Sequence, residues 1–158
     1  MSIIVELAGE PKGKGRPRFT RNGIAFTPAT TRRYEAALRY AAQEAMSGGA
    51  PLDGPLAVTV TATFPIPTSW SKKKQQAALA GMVAHTCRPD VDNLIKSIDG
   101  LNQVCWADDR QIVTALIRKR YGGRPAIHIE IVKLSEIPAQ QEGVPAHSGN
   151  TQKDSIHE

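Results

Sequence analysis

Cysteine is nearly absent from this 158-residue chain: Cys87 and Cys105 are the only two, and neither belongs to a CxxC pair or a Cys/His cluster. Neither a disulfide framework nor a structural zinc site is indicated, and both thiols read as reduced, as in the cytosol. Long apolar runs are missing as well. No uninterrupted stretch approaches the ~18 residues a membrane span needs, and the start, MSIIVELAGE, has no basic segment leading into an apolar one. The expectation is a soluble, cytoplasmic protein with no membrane partner. His85, His128, His147 and His157 are too scattered for a histidine-centred metal site, and His85 reads as a loop residue. There is no internal repeat.

Acid is scarce relative to base. Residues 1–133 hold 19 Lys and Arg against 11 Asp and Glu, whereas residues 134–158 hold one Lys and four acids. A compact basic domain favours a polyanionic partner, most often nucleic acid. Within that background, residues 88–113 (RPDVDNLIKSIDGLNQVCWADDRQIV) contain five aspartates in 26 positions. Acid concentrated in a basic protein points to a metal site.

The length fits one domain. Ile3, Val5 and Leu7 alternate in a first strand. Residues 12–21 follow with Lys12, Lys14, Arg16, Arg18 and Arg21 among glycines and Pro17, too irregular for a regular element. Residues 18–20 and 23–26 read as a small hairpin. Thr27 and Pro28 then open a helix that runs to about Met46, with Tyr34, Leu38, Ala41 and Ala45 at helical spacing. Leu56, Val58, Val60, Ala62 and Phe64 alternate with small or polar residues, the pattern of a half-buried strand. A short alanine-rich helix ends near Gly81, and a helix over residues 92–101 carries the stripe Leu94, Ile98, Leu101. Residues 112–119 and 126–132 read as two strands of a hairpin around Gly122 and Gly123. The composition of residues 135–158 predicts a disordered tail beyond a domain of residues 1–134. These elements predict an α+β fold: a mainly antiparallel or mixed sheet of about four or five strands, with two main helices packed on one face.

Helix geometry sorts the acids. Asp92, Lys96 and Asp99 at i, i+4 and i+7 form one row opposite the apolar stripe. Asp90 lies ~200° from Asp92 on a helix but on the same side in extended chain, so the two carboxylates converge only at a loop-to-helix junction. Pro89 disfavours helix before that point. Convergent carboxylates suit Mg²⁺, which commonly takes one or two of them and keeps room for substrate phosphate oxygens. The ordinary alternatives are an Asp N-cap and an i, i+3 surface pair between Lys96 and Asp99. Trp106 with Asp108 and Asp109 before a strand offers a further carboxylate from a second element, or a core-capping Trp with a solvated acidic turn.

Taken together, Arg88, Pro89, Asp90, Asp92, Asn93, Leu94 and Lys96, then Asp99 and Leu101, then Trp106, Asp108 and Asp109 resemble the signature of RusA-type Holliday junction resolvases, a family frequent in phages and prophages. The likeness extends to GEPKGKGRPRF at residues 9–19 and TSWSKKK at residues 68–74, and covers about residues 3–133. It implies a Mg²⁺ site, with Mn²⁺ as substitute, on Asp90, Asp92 and Asp109, with Asp108 as the neighbouring alternative for the third ligand. Lys96 is the implied catalytic lysine, and Asn93, Asp99 and Asp108 are supports, Asp99 by orienting Lys96. The implied reaction is paired nicking of a four-way DNA junction to 5′-phosphate and 3′-hydroxyl ends, in DNA recombination and repair, by a homodimer encoded by a bacterium or phage.

Lys12, Lys14, Arg16, Arg18, Arg21, Lys72, Lys73, Lys74 and Arg88 are the expected DNA-binding cations. They suit shape recognition, because phosphate contacts position a nucleic acid without reading its sequence. Phe19 and Trp70 could wedge between bases, but core or hairpin packing is the favoured reading of both. Three other readings compete. A PD-(D/E)xK nuclease lacks its downstream acid-x-lysine, a DxD glycosyltransferase needs a longer nucleotide-sugar domain, and a noncatalytic branched-DNA-binding module leaves the acids without purpose. A metal nuclease acting on other branched or flap DNA remains the nearest enzymatic alternative.

Overall fold

The alternation that marks residues 56–64 as a strand also fixes what lies on each side of it. In a computed structural model, which describes residues 2–134, β4 (Leu56–Phe64) sits inside a four-stranded sheet of order β1-β6-β4-β5. The other strands are β1 (Ser2–Ala8), β5 (Ile112–Tyr121) and β6 (Ala126–Lys133). β6 runs antiparallel to both β1 and β4, and β5 runs parallel to β4. The expected α+β class and mixed sheet are therefore observed. The tail beyond residue 134 lies outside the described residues.

The sheet is built on aligned period-2 rows. Val5, Ile129 and Val60 stand side by side across three strands, as do Ile3, Ile131 and Val58. All six are buried on the face covered by α1 (Ala29–Met46), α2 (Lys72–Leu79) and α3 (Val91–Ser97). Burying a Val or Ile side chain contributes roughly 1.5–3 kcal/mol, which makes this layer the main source of stability. Leu38 and Ala42 of α1 pack over one end of it, while Leu94 of α3 and Ala78 of α2 join Phe64 and Tyr121 at the other. The opposite face carries Ile4, Glu6, Thr59, Thr61, Leu116, Arg118 and His128, and the described helices leave it open.

Two local expectations are corrected. The helix expected to open at Thr27 and Pro28 has Pro28 at its N-cap position, with no side-chain cap. Its other end closes at Ser47, whose N–H still reaches the carbonyls of Gln43 and Glu44 and whose left-handed φ of 49° turns the following chain out of the helix. The last two strands do not form a hairpin with each other: β5 and β6 flank β4 on opposite sides. Their link passes the end of β4, where the Gly122 N–H donates to the Phe64 carbonyl at 3.0 Å. The small hairpin does form, from β2 (Arg18–Phe19) and β3 (Ala25–Phe26), as a separate two-stranded sheet. Because β4 and β5 are parallel, the chain between them must cross over a face of the sheet, and that crossover carries α2, α3 and the aspartates.

Candidate active site

Asp90 occupies the last extended position before α3, with φ −71° and ψ 157°. This is the loop-to-helix junction that convergence with Asp92 requires. Asp N-caps ordinarily spend their carboxylate on a helix N–H, but the Asp90 side chain makes no capping bond. The ordinary explanation for an aspartate here therefore fails, and Asp90 lines a cleft. Leu94, Ile98 and Leu101 are buried beneath and hold the charged side of the element outward.

On that outer side Lys96 donates to Asp92 at 3.2 Å, an i, i+4 pair that holds the Asp92 carboxyl below its usual range. Asp99 does not continue the row. The α-helix ends at Ser97 and a 3-10 turn, Ile98–Leu101, replaces it, so each residue now turns roughly 120° instead of ~100°. Asp99 is bonded instead to Lys14 at 2.6 Å, which corrects the expectation that it orients Lys96. The Asp99 hydrogen bond raises the pKa of Lys14, and the nearby charges of Glu35 and Asp109 act in the same direction.

The glycine-rich segment is seated against α3 by its backbone. The Lys14 N–H donates to the Asn93 carbonyl at 2.9 Å. A Cβ on Gly13 would lie 2.8 Å from Pro89 Cβ and 2.9 Å from Asn93 Cβ, so only glycine permits this approach without displacement. The result is a cleft of about 620 Å³, with residues 11–16 on one wall and Arg88, Pro89, Asp90 and Asn93 on the other. Lys12 and Arg16 thus share one space with the Asp90 carboxylate. Gly9, at the start of this segment, ties it to the β5–β6 link by an N–H bond to the Pro125 carbonyl at 2.9 Å.

The two remaining aspartates have different local partners. Asp108 caps the 3-10 turn Asp109–Gln111, accepting from the Arg110 N–H at 2.8 Å, and forms an ion pair with the Arg110 guanidinium. The Arg110 side chain holds its carboxyl down at about 2, with the Arg110 backbone N–H adding to the effect. Gln111 completes a capping box and ties the turn to the carbonyls of Leu52 and Gly54. Asp109 accepts from Trp106 Nε1 at 2.7 Å, and Trp106 is fully buried. One Asp109 oxygen is thereby anchored to the core.

The other expected cations fall in two places. Arg18 and Arg21 lie on or beside the β2–β3 hairpin, whereas Lys72, Lys73 and Lys74 form the first turn of α2, capped by Ser71. Lys74 stands 3.8 Å over the Trp70 ring, which packs edge-on against Tyr121. Trp70 follows the packing expectation. Phe19 does not: it is 70% exposed.

Glu35 was not singled out by the sequence reading. It lies on α1 beside Lys14, with one carboxylate oxygen buried and unbonded. Its signal was an acid directly after Tyr34, on the helix stripe that faces inward. The Asp108 and Gln111 spacing was likewise a legible capping box.

Among the described residues no three His, Cys, Asp or Glu side chains are gathered into a metal cage. The donors at hand are hard carboxylate oxygens. That chemistry fits Mg²⁺, which is usually held by one or two carboxylates together with water and phosphate oxygens, without a dedicated cage.

A crossover that presents exposed aspartates beside a cationic loop defines a protein built to meet a polyanion at an acidic centre. Comparison with known proteins gives the family: the endodeoxyribonuclease RusA family matches residues 8–132, and the chain belongs to it. It is also 33% identical over 139 residues to the uncharacterized protein YqaN of Bacillus subtilis (strain 168), a match covering 84% of this chain and 97% of that one.

Proposed function

We propose that this endodeoxyribonuclease resolves four-way DNA junctions with Mg²⁺, or with Mn²⁺ in its place, cutting two opposed strands to leave 5′-phosphate and 3′-hydroxyl ends. The observation that carries the reading is the shared cleft: Asp90, its side chain uncapped, lines one space with Lys12 and Arg16 that is wide enough for a phosphodiester. Asp90, Asp92 and Asp109 are the carboxylates that the family resemblance assigns to the metal, although the described side chains do not gather all three at one point; when bound, the metal would polarise a phosphate oxygen and lower the pKa of water. The capping and ion-pair role of Asp108 favours Asp109 over it as the third ligand. Lys96 leaves Asp92 to meet the negative charge that develops on the phosphate. Exposed cations of residues 12–21 and of α2 hold the backbone without reading bases. Cutting opposed strands requires two sites, which a twofold dimer supplies. The setting is DNA recombination and repair in the cytoplasm of a bacterium, with the gene its own or a phage's.

The test compares labelled junction, linear duplex and flap substrates with Mg²⁺ and with chelator. Wild-type protein nicks the junction symmetrically only with metal, and Asp92→Asn lowers the rate by about 100-fold or more. Because Asp92 is exposed, the variant keeps its fold. Equal cutting by the variant, or cutting of linear duplex in preference to the junction, overturns the proposal; binding without cutting marks a noncatalytic module.

A further inference from the structure

The β2–β3 hairpin is an apolar blade with no cover on either face. Phe19, Ile24 and Phe26 are 70%, 65% and 43% exposed. The register pairs Phe19 with Ala25 and Arg18 with Phe26, so Phe19 points to one side, and Phe26, with Ile24 two residues before it, to the other. The hairpin is hydrogen-bonded apart from the main sheet. Its tip is closed by the Thr20 N–H to the Ile24 carbonyl at 2.9 Å and by Gly23, whose φ of 76° makes the turn. A two-stranded hairpin is marginal in water by itself, and exposing large side chains on both faces does nothing to stabilise it.

We propose that this hairpin inserts at the branch point of the DNA, setting Phe19 and Ile24 against bases exposed where the helices part. The assignment rests on the nuclease reading of the cleft. Three features select this occupant. A protein surface docks against one face, whereas two apolar faces on one thin element suit insertion between flat rings. Arg18 and Arg21 flank the apolar side chains, are exposed and have no ion-pair partner among the described residues, so phosphate oxygens beside the inserted tip would meet them. The hairpin also continues directly from the loop of residues 11–16 that lines the cleft, so one continuous surface runs from the acidic centre to the blade. Aromatic stacking on bases is tolerant of sequence, as recognition of a branched shape demands.

The experiment uses the full chain, in chelator to prevent cutting, with a four-way junction carrying 2-aminopurine at the branch point and a linear duplex carrying the same label. Wild type raises 2-aminopurine fluorescence in the junction, as unstacking requires. Phe19→Ala abolishes the rise and weakens junction binding by about 10-fold, a loss in the range of one base stack. Duplex affinity and the salt dependence of binding stay unchanged. Phe19→Trp restores the signal, and because Phe19 lies outside the core both variants melt as wild type does. A fluorescence rise that survives Phe19→Ala overturns the inference, as does an equal loss of duplex affinity. So does a fall in the sedimenting mass of DNA-free Phe19→Ala protein, which would make the hairpin a contact between copies. Wild type that unstacks the junction but never cuts it with Mg²⁺ refutes the nuclease reading alone; wild type that cuts without unstacking refutes the hairpin's role alone.

Discussion

The pairing of Lys14 with Asp99 separates one cation from the others in its segment. Their side chains are 38% and 47% exposed, and such a pair stabilises a fold by less than about 1 kcal/mol. Its larger effect is to fix where residues 12–16 sit. Asp99→Asn is therefore expected to leave the denaturant midpoint nearly unchanged yet slow junction cleavage, as Lys14→Met does, with the double variant no slower than either single one. If Lys14 were instead a phosphate contact hindered by Asp99, Asp99→Asn would tighten junction binding, a result that direct titration would reveal. The sequence made Asp90, Asp92 and Lys96 legible because the geometry of a helix start is local. The partner of Asp99 was not legible, because it depends on where the α-helix yields to a 3-10 turn and on a residue 85 positions away.

The glycine-rich loop shows the same contrast at the scale of an element. Its composition announced irregular, cationic chain, but the close approach of Gly13 to Pro89 and Asn93 arises only in the fold. Gly13→Ala is expected to destabilise the protein by about 1–3 kcal/mol, the usual result of adding atoms to a filled space. It should also reduce junction cleavage more than Gly9→Asn does. Gly9 has a φ of 108° but nothing within 4 Å of an added Cβ, so substitution there strains the backbone without pushing the loop off α3. Urea unfolding and cleavage rates of the two variants check this; equal cleavage loss would mean that backbone strain alone sets loop position. The hairpin expected from β5 and β6 failed for a reason of reach. Four residues extend up to ~13 Å, enough to join neighbouring strands or to pass one strand and join the next, ~10 Å away. Spacing cannot choose between them, whereas the Gly122 bond to Phe64 does.

At the scale of the molecule, β6 is the strand on which the sheet depends, since among the described strands it alone joins β1 to the rest. Ile129 is fully buried between Val5 and Val60. Ile129→Ala should cost about 2–5 kcal/mol, read as a lower urea midpoint at unchanged slope; a loss below 1 kcal/mol would show that β6 does not bear this load. Alternation made the inward faces of β4 and β6 legible, while strand order, a matter of distant pairing, was not. That order also has a consequence in time. Of the described strands β1 comes earliest in the chain, yet the one it pairs with is β6, and the segment carrying Lys12, Lys14 and Arg16 is tied at its start to Pro125. The segment can meet α3 through its Lys14–Asn93 bond once α3 has been made, whereas its tie at Gly9 must wait for the β5–β6 link. The growing chain therefore holds base before its acidic counterpart, and the loop that carries the cations is pinned at both ends only as β6, the last of the six described strands, follows.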